Sequence, residues 1–433
     1  MCGDSMQCVR TLDDLDSLNI LYDKRWDQEK PRLLMHSLHA YPAKFPPFLA
    51  SEAFEYATEE GVNVQIAADI FSGCGTTALE SKVRGISFWG CDINPVAVLI
   101  ARTKVADYNL DSIKYLYRKI IEQFSKERNK KELLYNNASD RMKYWFDEDT
   151  YVDLYNLYNS IEMVVEKDYQ TELCFFKCIF SSILKQCSRW LQKSIKPQID
   201  PNKNTVSVIK EFENKYKMAC VAIKQIAEKH YPTAQYINIQ KDNFLKCNSF
   251  PNVDLIITSP PYVTSYEYAD LHQLSSIWLG YAADYRELRK GTIGSTHIPC
   301  GTDIECLKLN NTAKCIINLL SEKKCSRGKR GPIALYYYDM QKAVHKCYSM
   351  LNNQGMIICV IGDSELKGVK LENSRHLVEA MITEGFSDIK ISKRQVSKGI
   401  CVPYRDKQGK FTDQKNASNE IYHEEYIISG RKK

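Results

Sequence analysis

A strand, a glycine turn, a helix and a second strand packed into residues 62–103 set the narrowest limits on the fold of this chain. Residues 62–69, Val-Asn-Val-Gln-Ile-Ala-Ala-Asp, form a short apolar run of strand character. The run passes through Phe71-Ser72-Gly73-Cys74-Gly75-Thr76-Thr77 into a helix that should end near Arg84. Residues 86–91 read as the next strand, ending on Asp92-Ile93-Asn94-Pro95. Pro95 then opens a helix at the first-turn position, where its missing N–H is no loss. The rhythm returns at residues 236–242 and 253–258, and again after Gly355 at residues 356–361. Strands alternating with helices fold into a parallel sheet covered on both faces. Residues 389–395 and 425–429 read as two closing strands with no helix between them, so an antiparallel hairpin should end the sheet.

The expected fold class is α/β, a seven-stranded, mostly parallel, Rossmann-like sheet with a C-terminal antiparallel hairpin and a helical insertion. The insertion is placed at residues 104–235, a largely helical stretch rich in Tyr, Lys and Glu and broken once at 197–204. It separates an N-terminal segment and first half-sheet (1–103) from a second half (236–433). The second half carries an irregular, basic, glycine-bearing loop insertion at 280–331. Residues 36–47 hold three prolines within six positions, which excludes regular helix or central strand there. A helix should follow over 48–58.

The net charge of +6 on 433 residues says little by itself, but its distribution says more. Residues 177–224 carry ten Lys/Arg against three Asp/Glu, and residues 281–331 carry ten against five. Two basic segments on a balanced body suit contacts with a polyanion, although solvated faces have the same composition. None of the 16 cysteines forms a Cys-x-x-Cys pair, and many sit in apolar runs. That pattern fits buried thiols in a reducing compartment. Cys300, Cys306, Cys315 and Cys325 have the wrong spacing for a structural zinc site, so no metal is expected. No apolar run reaches the ~18 residues that span a bilayer. The N-terminus is polar and lacks an apolar signal core. A cytoplasmic protein without a membrane partner is expected.

The glycine turn and Asp92 together predict a ligand. Gly73 and Gly75 permit positive φ and close approach. The helix start beyond them offers unpaired N–H groups to a carboxylate or phosphate. Asp92, at the end of the next strand, can accept hydrogen bonds from a ribose diol. Asp69-x-Phe71-x-Gly73-x-Gly75-Thr76-Thr77 resembles the S-adenosylmethionine (SAM) motif of DNA amino-methyltransferases, which have the class I methyltransferase fold. The resemblance implies SAM as cofactor, with Phe71 beside its methionine part, Asp92 at its ribose and Ile93 also in the cofactor set. Asp242-Asn243-Phe244 is similar to the family's next motif, where the acid approaches the adenine amino group. His39-x-Tyr41-Pro42-Ala43-Lys44-Phe45 is similar to the element that covers the methionine end, so Tyr41, Lys44 and Phe45 join the expected cofactor set. Asp69, Gly73, Gly75, Thr76, Thr77 and Thr258 complete it.

Thr258-Ser259-Pro260-Pro261-Tyr262 ends the strand at 253–258. Its two prolines remove N–H donors and fix φ. What remains is acceptor-rich: the Ser259 hydroxyl and the carbonyls of Ser259 and Pro260, followed at once by the aromatic face of Tyr262. An exocyclic amino nitrogen on a nucleobase is a poor nucleophile because its lone pair is delocalised into the ring. Acceptors aimed at its N–H bonds draw it toward tetrahedral geometry and favour the developing positive charge. Tyr262 can stack on the base. In an open α/β sheet such a strand end is where ligands bind. Ser259, Pro260, Pro261 and Tyr262 are therefore the expected catalytic set. Within the family, Ser in the first position is typical of cytosine-N4 enzymes and Asp or Asn of adenine-N6 enzymes. A cytosine-C5 enzyme would need a Pro-Cys nucleophile, and Pro299-Cys300 lacks the preceding buried strand.

The resemblance thus implies methylation of cytosine N4 in a specific double-stranded DNA sequence, with the base flipped out of the helix. A cognate restriction endonuclease is a possible associate. The alternatives are an adenine-N6 DNA enzyme, an RNA amino-methyltransferase and a SAM-fold protein that binds nucleic acid without catalysis. Arg189 and Lys196 in the helical insertion, and Arg286, Arg289 and Lys290 after the catalytic strand, are the expected phosphate contacts. Tyr266, Tyr268 and His272 could line the target pocket or be ordinary half-buried helix residues.

Overall fold

The computed structural model describes residues 6–126, 131–166, 168–204, 206–263, 267–298, 302–396, 404–405, 419–420 and 424–433. Its strands are β1 (Gln7–Val9), β2 (Ile66–Asp69), β3 (Ser87–Asp92), β4 (Ile237–Lys241), β5 (Val253–Thr258), β6 (Leu351–Ile361), β7 (Ser364–Leu366), β8 (Val369–Leu371), β9 (Ser387–Gln395), β10 (Tyr404–Arg405), β11 (Asn419–Glu420) and β12 (Glu424–Arg431). An eight-stranded sheet has the order β1-β9-β12-β6-β5-β2-β3-β4. β4, β3, β2, β5 and β6 run parallel. β12 is antiparallel to both β6 and β9, so the expected C-terminal hairpin is present. The chain builds outward from β2 to β4, then returns to β5 and β6 on the other side. Strand order reverses between β2 and β5, and the crevice beyond their carboxyl ends is the ligand position of this architecture.

The sheet has one strand more than expected. β1 adds to β9 through Gln7, Cys8 and Val9, a run too short to show alternation in sequence.

The helices of the sheet's first half are α1 (Leu12–Ser17), α2 (Pro47–Glu59), α3 (Thr76–Lys82) and α4 (Pro95–Val105). The insertion is built from α5 (Leu110–Lys126), α6 (Lys131–Asn136), α7 (Asp140–Trp145), α8 (Glu148–Val164), α9 (Gln170–Cys187) and α10 (Val208–Glu228). The second half adds α11 (Tyr268–Leu271), α12 (Gln273–Trp278), α13 (Asn311–Glu322), α14 (Arg327–Met350) and α15 (Asn373–Glu384).

Alternate strand residues face opposite layers, as a period of two requires. Ala67, Leu255, Ile257, Ile358 and Ile427 pack with Leu49 and Ala53 of α2 and Val98 of α4. Ala68, Ile256, Ile357, Cys359 and Ile428 pack against Tyr337 and Val344 of α14 and Val378 of α15. A third core joins Phe175, Ile179 and Phe212 of the insertion to Leu79 of α3 and Val96 and Ile100 of α4. The insertion therefore shares its interior with the helices that carry the glycine turn.

Residues 280–331 are more regular than their composition suggested. α13 is capped by the Asn310 side chain, which accepts from Ala313 N–H, and buries Ala313, Ile316 and Leu320 at helical spacing. The basic run Arg327–Gly331 is the start of α14, and Pro332 stands inside the helix, where it has no N–H to give the Gly328 carbonyl. α15 also went unforeseen, although Gly385 stops it in the left-handed conformation usual for helix ends.

Candidate active site

Four strand ends converge on one cleft, with about 1020 Å³ of atom-free space including its open mouth. β2 supplies Asp69, Phe71 and Gly73; β3 supplies Asp92, Ile93 and Asn94; β4 leads to Asp242, Asn243 and Phe244; β5 leads to Ser259 and Pro261. Tyr41, Lys44 and Phe45 form a wall from the proline-rich segment, and Thr76 and Tyr268 also line the space. The lining that sequence reasoning missed comes mainly from Ser72, Cys74 and the segment Leu288, Gly291, Thr292, Ile293.

Asp69 is the internal clamp of this site. It is 3% exposed. It accepts from Thr258 Oγ1 at 2.7 Å, Thr77 Oγ1 at 2.9 Å and Phe71 N–H at 3.1 Å. Thr77 and Thr258 are thus spent on Asp69 and do not line the cleft. The arrangement ties the end of β5 to the glycine turn across the switch point. Burial pushes the Asp69 carboxyl up to about 6, against the lowering effect of its hydrogen bonds.

Asp92 shapes the turn from the other side. Its Oδ2 accepts from Gly73 N–H at 2.8 Å and its Oδ1 from Asn94 N–H at 2.8 Å. Burial pushes its carboxyl, too, up to about 6. Gly73 has φ +50, and Gly75 has φ +75. A Cβ on Gly75 would lie 2.7 Å from Ala101 Cβ, so this glycine allows the close packing of α3 on α4. The Ser72 hydroxyl is buried beside the cleft and has no hydrogen-bond partner among the described residues.

The 36–47 segment is fastened over the turn. Thr76 Oγ1 donates to Phe45 O at 3.0 Å, and Lys44 Nζ donates to His36 O at 2.9 Å. Tyr41 stacks on His272, with ring centroids 4.7 Å apart. His272 Nδ1 in turn lies 3.0 Å from Asn94 Nδ2. His272 is thus a buried support behind Tyr41, outside the cleft lining, whereas Tyr268 is in it. Tyr266 lies outside the described residues. Beneath the turn, the fully buried Lys104 places Nζ 3.2 Å from Cys74 Sγ, an arrangement no local motif announces.

At the end of β5 Ser259 and Pro261 face the cleft, while Pro260 is buried and Tyr262 turns away from the lining. The Tyr262 hydroxyl donates to Glu425 Oε1 at 2.7 Å, and Arg394 Nε holds Glu425 Oε2 at 2.7 Å. Gly362 makes room for the ring, since a Cβ there would lie 3.0 Å from Tyr262 Cε2. The Ser259–Tyr262 corner is thereby fixed from the antiparallel end of the sheet.

The expected phosphate contacts divide. Arg189 is committed internally, donating from Nη2 to Lys143 O and Phe146 O at 2.8 and 3.0 Å. Arg289 forms a forked pair with Asp270, so it too is already engaged. Arg286 is exposed but pairs with Asp284 of its own loop. Lys196 and Lys290 are exposed. Among the described residues no group of three or more His, Cys, Asp or Glu could hold a metal ion, and Cys300 lies outside them. No helix among them is long and apolar enough to cross a membrane.

No family model matches the chain. Among curated proteins it is 23% identical over 368 residues to the Type II methyltransferase M.MvaI of Kocuria varians, covering 78% of this chain and 79% of that protein. It is 29% identical to the Type II methyltransferase M.BsoBI of Geobacillus stearothermophilus, over 53% of this chain and 50% of that protein. The Type II methyltransferase M.MjaII of Methanocaldococcus jannaschii is 28% identical over 31% of this chain and 28% of its own length. Among solved structures, the rRNA methyltransferase aviRa from Streptomyces viridochromogenes aligns over 93% of this chain and 90% of its own. That alignment has 10% identity and a TM-score of 0.31, too low to carry an argument. The methyltransferase resemblance read from the motifs accordingly holds in the curated relatives.

Proposed function

We propose that this chain is a SAM-dependent DNA methyltransferase that modifies the exocyclic N4 amino group of cytosine in a specific duplex sequence. The observation that carries the reading is the cleft itself. It joins the glycine turn and Asp92 on one side to Ser259 and Pro261 on the other, at the switch point of the sheet. Similarity over most of the chain to a protein named a Type II methyltransferase supports the reaction class and a DNA substrate.

The residues present fit the cofactor. Asp92 offers a carboxylate to a ribose diol, Asp242 and Asn243 offer polar groups to an adenine edge, and Phe71 and Tyr41 offer apolar and aromatic surface. The buried, unpartnered Ser72 hydroxyl and the Lys44 ammonium are suited to an amino-acid end. When bound, SAM supplies a methyl group already activated on a sulfonium, so the protein needs no covalent nucleophile. The chain's own task is alignment and charge stabilisation. The Ser259 hydroxyl and the carbonyls near it accept the amino N–H bonds and favour the nitrogen as positive charge develops on it. The rigid corner holds that nitrogen in line with the transferred methyl. Removal from the duplex is required because a stacked base cannot reach the strand ends.

Ser259, where an acid or amide would suit adenine-N6 chemistry, directs the reading toward cytosine. Incubation with tritium-labelled SAM and either duplex DNA or RNA tests the substrate class. Label transfer to DNA alone is expected, and transfer only to RNA overturns the reading.

A further inference from the structure

We propose that the turn between α13 and α14, together with the β7–β8 hairpin, is the surface that grips the phosphates of duplex DNA flanking the methylated base. The inference rests on the proposed DNA substrate but names a surface which that proposal does not.

Lys323, Lys324, Arg327 and Lys329 stand exposed at this turn, and Lys367 stands exposed at the tip of the hairpin. The two elements are joined, since Lys367 Nζ donates to Lys324 O at 3.1 Å. None of the five has a carboxylate within ion-pair distance among the described residues, unlike Arg286 and Arg289 in the other half of the same basic segment. Asp303 lies near enough to Arg327 to feel its charge. Its carboxylate already takes the Cys306 thiol and Glu305 N–H, however. The first turn of α14 contains no acidic residue, so the helix end adds positive potential instead of cancelling it.

Both elements are rooted in the catalytic corner. A Cβ at Gly294 would lie 3.5 Å from Tyr336 of α14 and 3.6 Å from the Tyr262 carbonyl. Arg327 is nine residues before Tyr336, which at the helical rise is about 14 Å along the axis. The hairpin starts at Ser364, two residues after the Gly362 that underlies the Tyr262 ring. A distance of ~14 Å corresponds to about four base pairs of duplex, so cations placed there meet the backbone beside an extruded nucleotide. Phosphate contacts fix register and orientation without reading sequence.

Fluorescence anisotropy with a fluorescein-labelled, mixed-sequence duplex, the full chain and a series of salt concentrations tests the surface. For Lys324→Gln/Lys329→Gln/Lys367→Gln the slope of log affinity against log salt should become shallower by about 2.7, at ~0.9 for each phosphate no longer neutralised. For Lys323→Gln/Arg327→Gln the expected change is about 1.8 on the same basis. SAM binding by calorimetry should be unchanged in both, which reports an intact fold. Wild-type slopes in folded variants overturn this surface alone. A wild-type protein that binds a labelled RNA strand but no duplex DNA overturns the proposed substrate and the surface with it.

Discussion

The motif-lined wall of the cleft and the cations proposed to meet nucleic acid are built on different plans. In the wall, motif residues bond to one another. Asp92 takes Gly73 and Asn94 N–H groups, Asp69 takes Phe71 N–H with Thr77 and Thr258, and Asp242 takes Asn243 N–H. The charged side chains are engaged by groups outside the motifs: Arg289 by Asp270, Arg189 by carbonyls at the end of α7, and Lys367 by the α13–α14 turn. A site made of strand-end motifs finds its partners within those motifs. A surface made of cations depends on which of them the fold has left without a counter-ion.

Substitutions at five residues probe this contrast between wall and surface cations. The largest effect is expected from Ser259→Ala, which removes an acceptor from the reacting nitrogen. Methyl transfer should fall by roughly 10²- to 10³-fold, as for loss of one preorganised transition-state hydrogen bond, while SAM binding by calorimetry stays at the wild-type value. A variant with full turnover would remove Ser259 from the chemistry.

Next is Asp92→Ala, for which SAM affinity should drop roughly 10- to 100-fold, the range for hydrogen bonds to a charged group. The same carboxylate predicts a pH dependence. Burial raises Asp92 to about 6 from its ordinary 3.8. The free protein therefore holds a proton there below that pH, and the ionised acceptor form emerges above it. SAM affinity should climb as pH rises through about 6, and Asp92→Asn should flatten the climb. The stability contribution has the opposite sign. The folded state binds the proton more tightly than the unfolded chain, so that contribution is complete below pH 3.8 and is lost as pH rises through about 6. Affinity that is flat from pH 5 to 7 would show that Asp92 does not meet the cofactor.

Glu425→Gln should be milder. It exchanges a charge-assisted hydrogen bond to Tyr262 for a neutral one, so kcat is expected to fall about 10-fold with SAM affinity unchanged. Equal loss of SAM binding would mean that Glu425 supports the whole sheet edge and not the catalytic corner. The smallest effect belongs to Arg286→Gln/Lys290→Gln. With Arg286 already paired to Asp284, DNA affinity should change less than about threefold. A large loss there would return the phosphate grip to the loop after the catalytic strand.

The sheet was legible because four of its five parallel strands end on a motif. Asp69, Asp92, Asp242 and Thr258 mark the ends of β2, β3, β4 and β5, and the glycine and proline breaks beside them are local. β1 escaped because Gln7–Val9 acquires its meaning only from β9, far away in sequence. α13 and α15 escaped behind polar composition, although Asn310 and Gly385 mark their ends. In the site, chain order pointed to the residues that face the cleft but not to those spent on holding it. Thr77, Thr258 and Gly75 look like ligand contacts in sequence, and the fold uses them for clamping and close packing. Cys74, Lys104 and Leu288–Ile293 carry no motif, so only tertiary structure brings them to the cleft or beneath it.

Nucleoside mass spectrometry of duplex DNA, incubated with the protein and SAM and then digested to completion, tests the proposed chemistry most directly. N4-methylcytosine is the expected product, and it should be absent when Ser259→Ala protein is used. N6-methyladenine as the only methylated product, or no methylated base in DNA at all, would refute the assignment.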